Sequence, residues 1–206
     1  DSAETFNQGA VFASNIQIQG EKFQNSGDKA ILASTGNIQF AVTEEFRNSD
    51  QGLIYAQGNV LIGTADASIG KVVNESATIS AENNIVIHAG ELINQRTEFE
   101  TTNVVEKTQD IEIISSNLPN GSLSLAQMAN GSSPSGFGKE INTTVVKVID
   151  TTVTTTQVTK DSGAGRIQAG NNLVIRADDR LNDKSELIAG KNIDEVVGHA
   201  QNIGLE

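Results

Sequence analysis

The feature of this sequence that most constrains its fold is a repeat marked by asparagine. An Asn followed by a branched apolar residue recurs at Asn15, Asn37, Asn59, Asn84, Asn172 and Asn192. The steps between these positions are 22, 22, 25, 88 and 20 residues. A period of this length is typical of solenoid proteins, in which each unit packs only on its neighbours.

Other positions repeat together with this asparagine. An Ala stands upstream of it in each unit, and a branched apolar residue precedes that Ala by two positions, as in Ile31 and Ala33. A second Asn ends each unit, at Asn25, Asn48, Asn74, Asn94, Asn182 and Asn202. Patterns such as Ile-x-Ala place alternate side chains on one side of a strand. Strands this short cannot bury an apolar face alone, so we expect them to stack on copies of themselves.

The repeat predicts an all-β fold, a parallel β-helix in which each coil pairs with the next about 4.8 Å away. Inward Ile and Val form the core, small Ala fits a tight corner, and Asn tolerates the left-handed backbone of turns. We also expect Asn side chains at equivalent turns to hydrogen-bond to their copies in neighbouring coils. The last unit has Glu195 at an apolar position, so we expect its coil to be loosened or terminal.

Composition agrees with many short strands and narrows the function. Aromatic residues make up 4% of the chain, and Cys is absent, which excludes disulfides and Cys-based metal sites. The net charge of −12 disfavours binding to nucleic acid, whose phosphates would repel the chain. No apolar run is long enough for a spanning helix. The first residues do not resemble a signal peptide, which indicates a mature chain or an internal fragment.

The step of 88 residues contains an insertion over residues 96–164. Its two arms are rich in Val, Ile and Thr, whereas residues 115–138 carry both prolines and many Gly and Ser. Two β-prone arms around a turn-rich middle predict a long β-hairpin with its tip at 115–138. A disordered loop is the alternative, which the β-branched arms disfavour. The remaining residues, 1–95 and 165–206, are predicted to form one β-helix domain.

Apolar residues near the hairpin tip are candidates for binding. A solvated turn does not need such residues, and long insertions in rigid scaffolds often carry function. The candidate binding residues are Ile113, Ile114, Leu118, Leu123, Leu125, Met128 and Phe137. Two functions remain open: the hairpin contacts a receptor on another cell, or the segment is a spacer whose hairpin covers an apolar side or a sheet edge of the helix.

The adjacent carboxylates of Asp178 and Asp179 raise the question of acid–base chemistry. Neighbouring residues of an extended segment point to opposite sides, which disfavours a polysaccharide-cleaving pair. We therefore interpret both as charged residues of a solvent turn. His88 and His199 have no partner in the repeat, so we interpret them as surface residues and not as metal ligands. The sequence predicts no enzymatic activity, cofactor, metal site or small-molecule substrate.

The stretch GRIQAGNNLVIRADDRLNDKSELIAGKNI at 165–193 resembles the haemagglutinin repeats of two-partner-secretion exoproteins. Filamentous haemagglutinin and the CdiA effectors of contact-dependent growth inhibition belong to this group. The resemblance implies a right-handed parallel β-helix in a filament on a Gram-negative cell surface. It further implies export through an outer-membrane transporter, and a role in adhesion or toxin delivery. The secretion-domain Asn-Pro-Asn motif and the VENN-type boundary are missing, so we expect an internal filament segment.

Overall fold

A computed structural model describes the backbone of residues 3–118 and 141–204, and it describes no side chains for residues 111–118 and 141–147. This part of the chain consists of strands joined by turns. The strands before the insertion are β1 (Glu4–Asn7), β2 (Ala10–Ala13), β3 (Ile16–Ser26), β4 (Ile31–Ser34), β5 (Ile38–Ser49), β6 (Leu53–Ala56), β7 (Val60–Ile62), β8 (Ile69–Glu75), β9 (Thr78–Ala81) and β10 (Ile85–Gln95). The strands that follow are β11 (Phe99–Leu118), β12 (Ile141–Asp161), β13 (Arg166–Ala169), β14 (Asn172–Asp183), β15 (Glu186–Ala189) and β16 (Asn192–Ile203).

The strands outside the insertion stack into two parallel sheets. The short-strand sheet contains, in order, β2, β4, β6, β9, β13 and β15. The long-strand sheet contains, in order, β1, β3, β5, β7 with β8, β10, β14 and β16. The chain alternates between the two sheets and advances by one coil each time. The predicted all-β parallel β-helix is therefore confirmed, and it makes about seven turns.

The register of the strands follows the repeat of the sequence. Ile38 pairs with Val60, Val60 with Ile85, and Ile85 with Leu173, so the residue after each marker Asn forms one column. This register runs across the insertion without a shift. In the short-strand sheet, the sequence alignment of β4 is wrong by one residue: Leu32 and Ser34 are in the columns of the buried Ile54 and Ala56. Ala33 therefore points outward, whereas the repeat predicts that it points inward.

One long strand is split in two, which explains the step of 25 residues in the repeat. The turn between β7 and β8 begins at Gly63, whose φ is 72°. Backbone hydrogen bonds of 3.0 and 3.2 Å join Thr64 and Ala67 across the turn. The extra residues stay in this turn because β7 and β8 both keep their register with β5 and β10.

Side chains that point into the coil form an apolar core along the whole stack. Most are Ile, Val, Leu and Ala, as the repeat predicts. Phe23, Phe40 and Phe46 are an aromatic cluster between β3 and β5, with ring centroids 4.7 to 5.6 Å apart. Packing of this kind leaves little freedom between coils, so the stack is a rigid support.

Asparagines at the end of each long strand form a buried ladder. Asn25, Asn48, Asn74 and Asn94 are 0% exposed. From Asn7 through Asn94, each Nδ2 donates to the Oδ1 of the Asn in the next coil, at 2.7 to 2.9 Å. The same groups also donate to carbonyl oxygens of the turns, as in the 3.1 Å bond from Asn25 to Ala30. The predicted hydrogen bonds between equivalent Asn residues are confirmed.

The marker asparagines form a second ladder, closer to solvent, that donates in the opposite direction. The backbone N and Nδ2 of Asn59 donate to Asn37 Oδ1 in the preceding coil, at 2.8 and 3.1 Å. Asn84 donates to Asn59 Oδ1 in the same way, at 3.1 and 2.9 Å. A backbone N–H is only a donor, so these bonds fix which amide atom is oxygen. The side-chain dipoles of the two ladders therefore oppose each other along the stack.

The last two coils replace an apolar contact with an ion pair between a buried arginine and a partly exposed glutamate. Arg180 is in the core column of Leu92, and Glu195 is in the core column of Ile175. The Arg180 side chain is 6% exposed, and its Nε lies 3.2 Å from Glu195 Oε1. Its Nη1 also donates to Asn202 Oδ1 at 2.9 Å. The departure of Glu195 from the repeat is thus balanced by a cation in the coil before it.

Candidate functional site: the inserted ribbon

The chain forms two compact units, residues 1–100 with 159–206 and residues 101–158. The first unit contains the β-helix and both ends of the insertion. We call residues 96–100 and 159–165 the root, and residues 101–158 the ribbon.

The ribbon is a pair of antiparallel strands. β11 and β12 form a two-stranded sheet of their own. Thr156 Oγ1 donates to Asn103 Oδ1 and Gln109 Nε2 donates to Asp150 Oδ1, both at 2.9 Å. The partner on β12 moves back along the chain as the residue on β11 moves forward, so the strands are antiparallel. The insertion therefore contains the predicted paired arms of a hairpin.

Large apolar side chains are exposed on both faces of the ribbon. Those between 40% and 56% exposed are Val105, Val148, Ile149, Val153 and Val158. Side chains alternate along a strand, so Val148 and Val158 lie on one face of β12 and Ile149 and Val153 on the other. A two-stranded sheet without a packed face is only marginally stable in water. The ribbon thus presents apolar surface that a partner would bury.

A cluster of hydroxyl groups fastens the root to the coils. Ser76 Oγ lies 2.7 Å from Ser162 Oγ and 3.0 Å from Thr97 Oγ1. The backbone N of Glu98 donates to Ser162 Oγ at 2.9 Å. Ser76 is buried and has a φ of 48°, a left-handed conformation that directs the chain into this turn. The two ends of the insertion are thereby tied to the same coil.

Arg96 adds charged contacts to the root. Its Nη1 lies 2.8 Å from Asp161 Oδ1, and its guanidinium carbon lies 5.0 Å from the centroid of the Phe99 ring. Its backbone N donates to the Asp183 carbonyl at 3.0 Å. These contacts place a cation between the two ends of the insertion and hold them together.

The buried ladder passes the root without a break. Asn94 Nδ2 donates to Asn182 Oδ1 at 2.8 Å, although 88 residues separate them. Gly165 lies beside this bond, and a Cβ there would be 2.7 Å from Asn94 Oδ1. The position therefore requires Gly. The coils on both sides of the insertion stack as if it were not there.

The structure describes few of the predicted binding residues. Only the backbone, on β11, is described for Ile113, Ile114 and Leu118. The other four are outside the described residues: Leu123, Leu125, Met128 and Phe137. Their binding role stays a prediction.

Asp178 and Asp179 are exposed, but they lie within β14. The predicted turn at this position is wrong, because the strand continues and Asp179 pairs with Glu91 on one side and His199 on the other. His199 Nδ1 lies 3.4 Å from Asp179 Oδ1 on the surface. His88 is half-buried and in register with Arg176. Among the described residues, no group of three or more His, Asp and Glu side chains is arranged to hold a metal ion.

Sequence reasoning missed the exposed apolar residues of the ribbon arms. The signal was that Val occurs at both odd and even positions of β12, for example Val153 and Val158. Because side chains alternate along a strand, this pattern indicates apolar residues on both faces. It also missed the ion pair of Arg180 with Glu195, which the register of the repeat implies once both are placed in core columns. In the described part of the chain, no helix is long and apolar enough to cross a membrane.

Comparisons with family models, curated proteins and solved structures give no match for this chain, so its function is argued from the arrangement of its residues.

Proposed function

We propose that this chain is a filament segment of a secreted bacterial surface exoprotein of the adhesin or contact-dependent growth inhibition type. The β-helix is the shaft, and the ribbon contacts a receptor on a target cell. The observation that carries the proposal is an inserted ribbon with apolar residues exposed on both faces, in a shaft that is continuous without it. The proposal assigns no enzymatic activity to the segment.

The shaft has the properties that a filament requires. Its sheets and both Asn ladders repeat from coil to coil, so stability comes from contacts between neighbouring coils. The ladder from Asn7 to Asn182 satisfies buried amides along most of this length. Such a stack lengthens by adding coils and needs no change elsewhere.

The ribbon has the properties of a contact element. Strands β11 and β12, which continue from the root into the ribbon, have 20 and 21 residues, and 20 residues of strand correspond to a length of about 66 Å. Its exposed apolar residues are Val and Ile, interspersed with Thr. Each strand also has an outer edge that is unpaired within the described sheet, and such edges accept an additional strand from a partner.

A purely structural spacer is the alternative function. The root favours it, because Ser76, Arg96 and Ser162 fasten the insertion to the coils through hydrogen bonds and an ion pair. In that case the insertion would contribute to the stability of the shaft and bind nothing.

Replacing the ribbon tests the proposal. Residues 101–158 are replaced by a short Gly-containing turn, and the root is kept. We expect an unchanged β-sheet spectrum and loss of binding to target cells, measured with labelled protein. A milder variant, Val153→Thr with Val158→Thr, keeps the ribbon and should weaken binding. Its matched control is Val174→Thr on the shaft, which should leave binding unchanged. Full binding without the ribbon contradicts the receptor role, and loss of folding supports the spacer.

Export through an outer-membrane transporter and a location on the cell surface are also part of the proposal, and the resemblance of the repeats supports them. Protease treatment of intact producing cells tests this part. We expect cleavage of the segment on intact cells, and loss of that cleavage when the transporter is removed.

A further inference from the structure

The short-strand sheet carries a second surface on its outer face, separate from the ribbon. Phe12 pairs with Ala33 in the next coil, and Ala33 pairs with Tyr55 in the coil after that. Leu32 and Ile54, their neighbours in sequence, are buried in the core. Side chains alternate along a strand, so Phe12, Ala33 and Tyr55 point outward in one column.

This column forms a trough with aromatic walls. Two coil steps separate the backbones of Phe12 and Tyr55, a distance of about 9.6 Å. The single methyl group of Ala33 lies between them as the floor. A cavity of about 400 Å³ lies at this position, with Ser14, Thr35 and Gln57 also along its lining. This volume is in the range of small-ligand sites.

Both aromatic side chains lie on the outer face of the sheet. All four residues of β2, the end strand of this sheet, are exposed, and Phe12 is 72% exposed. The hydroxyl of Tyr55 donates to Glu82 Oε1 in the next coil. This bond fixes the orientation of the ring before any ligand arrives, which lowers the entropy lost on binding.

The chemistry of the lining selects a neutral ligand. None of the residues that line the trough is charged, although the chain as a whole carries a net charge of −12. Ser14, Thr35 and Gln57 each provide both a donor and an acceptor. The aromatic rings provide apolar faces. A ligand that fits has hydroxyl groups at its edge and an apolar face, which is the chemistry of a pyranose sugar.

The spacing of the rings selects a chain of sugars over a single apolar group. An extended β-1,4-linked glycan repeats its disaccharide over a distance similar to two coil steps. We propose that Phe12, Ala33 and Tyr55 form a binding site for a neutral glycan, whose chain lies along the axis of the stack. This site does not depend on the receptor role of the ribbon, and it gives the shaft a ligand of its own.

The single Tyr of the chain provides a site-specific assay. Tyr55 is the one Tyr and Trp is absent, so intrinsic fluorescence reports on this trough alone. The full chain is titrated with cellotetraose, chitotetraose and mannotetraose. We expect a saturable change in fluorescence with at least one of them, and calorimetry gives the affinity of that sugar. Phe12→Ala should weaken its binding about five- to tenfold, as for the loss of an aromatic contact.

Two further variants separate a sugar site from a general apolar patch. Ala33→Leu fills the trough and adds apolar area, so it should abolish sugar binding. Ile188→Ala changes the same outward column at β15 and should leave binding unchanged. Circular dichroism checks the folding of each variant.

Two results would overturn the proposal. The first is the absence of saturable binding with all three tetrasaccharides, which is the result expected if the trough docks a protein surface. The second is unchanged sugar binding by Ala33→Leu.

Discussion

Replacing Asn48 by Ala removes one rung from the middle of the buried ladder. Asn48 accepts a hydrogen bond from Asn25 Nδ2 at 2.8 Å and donates one to Asn74 Oδ1 at 2.9 Å. It also donates to the carbonyl oxygens of Gly52 and Thr78, at 3.2 and 3.1 Å. All three Asn residues are 0% exposed, so water does not reach the partners from the surface.

The expected loss of stability follows from the groups that are left without a partner. One N–H of Asn25 and the Oδ1 of Asn74 become unsatisfied while buried. Each such group costs about 1–3 kcal/mol, so Asn48→Ala should lower the free energy of unfolding by about 2–6 kcal/mol. Asn48→Asp keeps the shape of the side chain but places a carboxylate against Asn74 Oδ1. It should therefore destabilise the protein at neutral pH by at least as much.

Asn59→Ala is the matched control, because Asn59 belongs to the outer ladder. It accepts two bonds from Asn84, at 3.1 and 2.9 Å, but both residues are half-buried and water replaces the lost acceptor. The expected loss is about 0.5–1.5 kcal/mol.

Urea unfolding followed by circular dichroism measures both variants against the parent chain. Hydrogen exchange then shows whether the loss is confined to the coils next to Asn48, as nearest-neighbour stability requires. Equal losses for Asn48→Ala and Asn59→Ala would refute the reasoning. The buried ladder would then not stabilise the fold by satisfying the hydrogen bonds of buried amides.

Three further predictions concern separate parts of the chain. Gly165→Ala should lower the melting temperature, because its Cβ would lie 2.7 Å from Asn94 Oδ1, whereas Gly9→Ala has no atom within 4 Å and should not. The hydrogen bond to Glu82 raises the pKa of Tyr55 above its ordinary value of 10.0, and absorbance titration of this single Tyr should show Glu82→Gln returning the pKa toward that value. Since the folded-state pKa is the higher one, this bond stabilises the fold fully below the unfolded pKa and is lost as pH rises through the folded pKa. Arg180→Ala should lower the free energy of unfolding by about 1–3 kcal/mol, because it leaves the partly exposed Glu195 carboxylate without its cation. Arg180→Leu with Glu195→Ile restores the residue types of neighbouring coils and should be neutral or stabilising. A loss of stability in the double variant as large as in Arg180→Ala would contradict this.

The coils were predictable from sequence because their constraints repeat. A column such as Ile38, Val60 and Ile85 is visible in sequence because every coil needs an apolar residue at that place. The buried ladder was predictable for the same reason. Each coil needs an Asn side chain that donates both to a backbone carbonyl oxygen of the adjacent turn and to the Asn of the next coil.

Features that occur once were not predictable in the same way. The ion pair of Arg180 with Glu195 looks like two departures from the repeat until the register shows that they meet. The trough depends on Phe12 and Tyr55, which are 43 residues apart and differ in type. The apolar faces of the ribbon do not recur elsewhere in the sequence, so no second copy indicates which residues are exposed. No side chain of the predicted tip is among those that the structure describes.

The bond between Asn94 and Asn182 has a consequence for the order in which the chain folds. Neighbouring coils elsewhere find each other across 18 to 26 residues, as their ladder bonds show, but this pair must meet across 88. Each doubling of a loop adds about 0.6 kcal/mol to the free-energy cost of closing it, so this loop, roughly four times longer, costs about 1.2 kcal/mol more than the others. During synthesis, the coils up to β10 can assemble as they emerge, and growth of the stack then waits for the insertion. Pairing of β11 with β12 shortens the effective loop between Asn94 and Asn182. Formation of the ribbon should therefore speed the addition of the coils that follow.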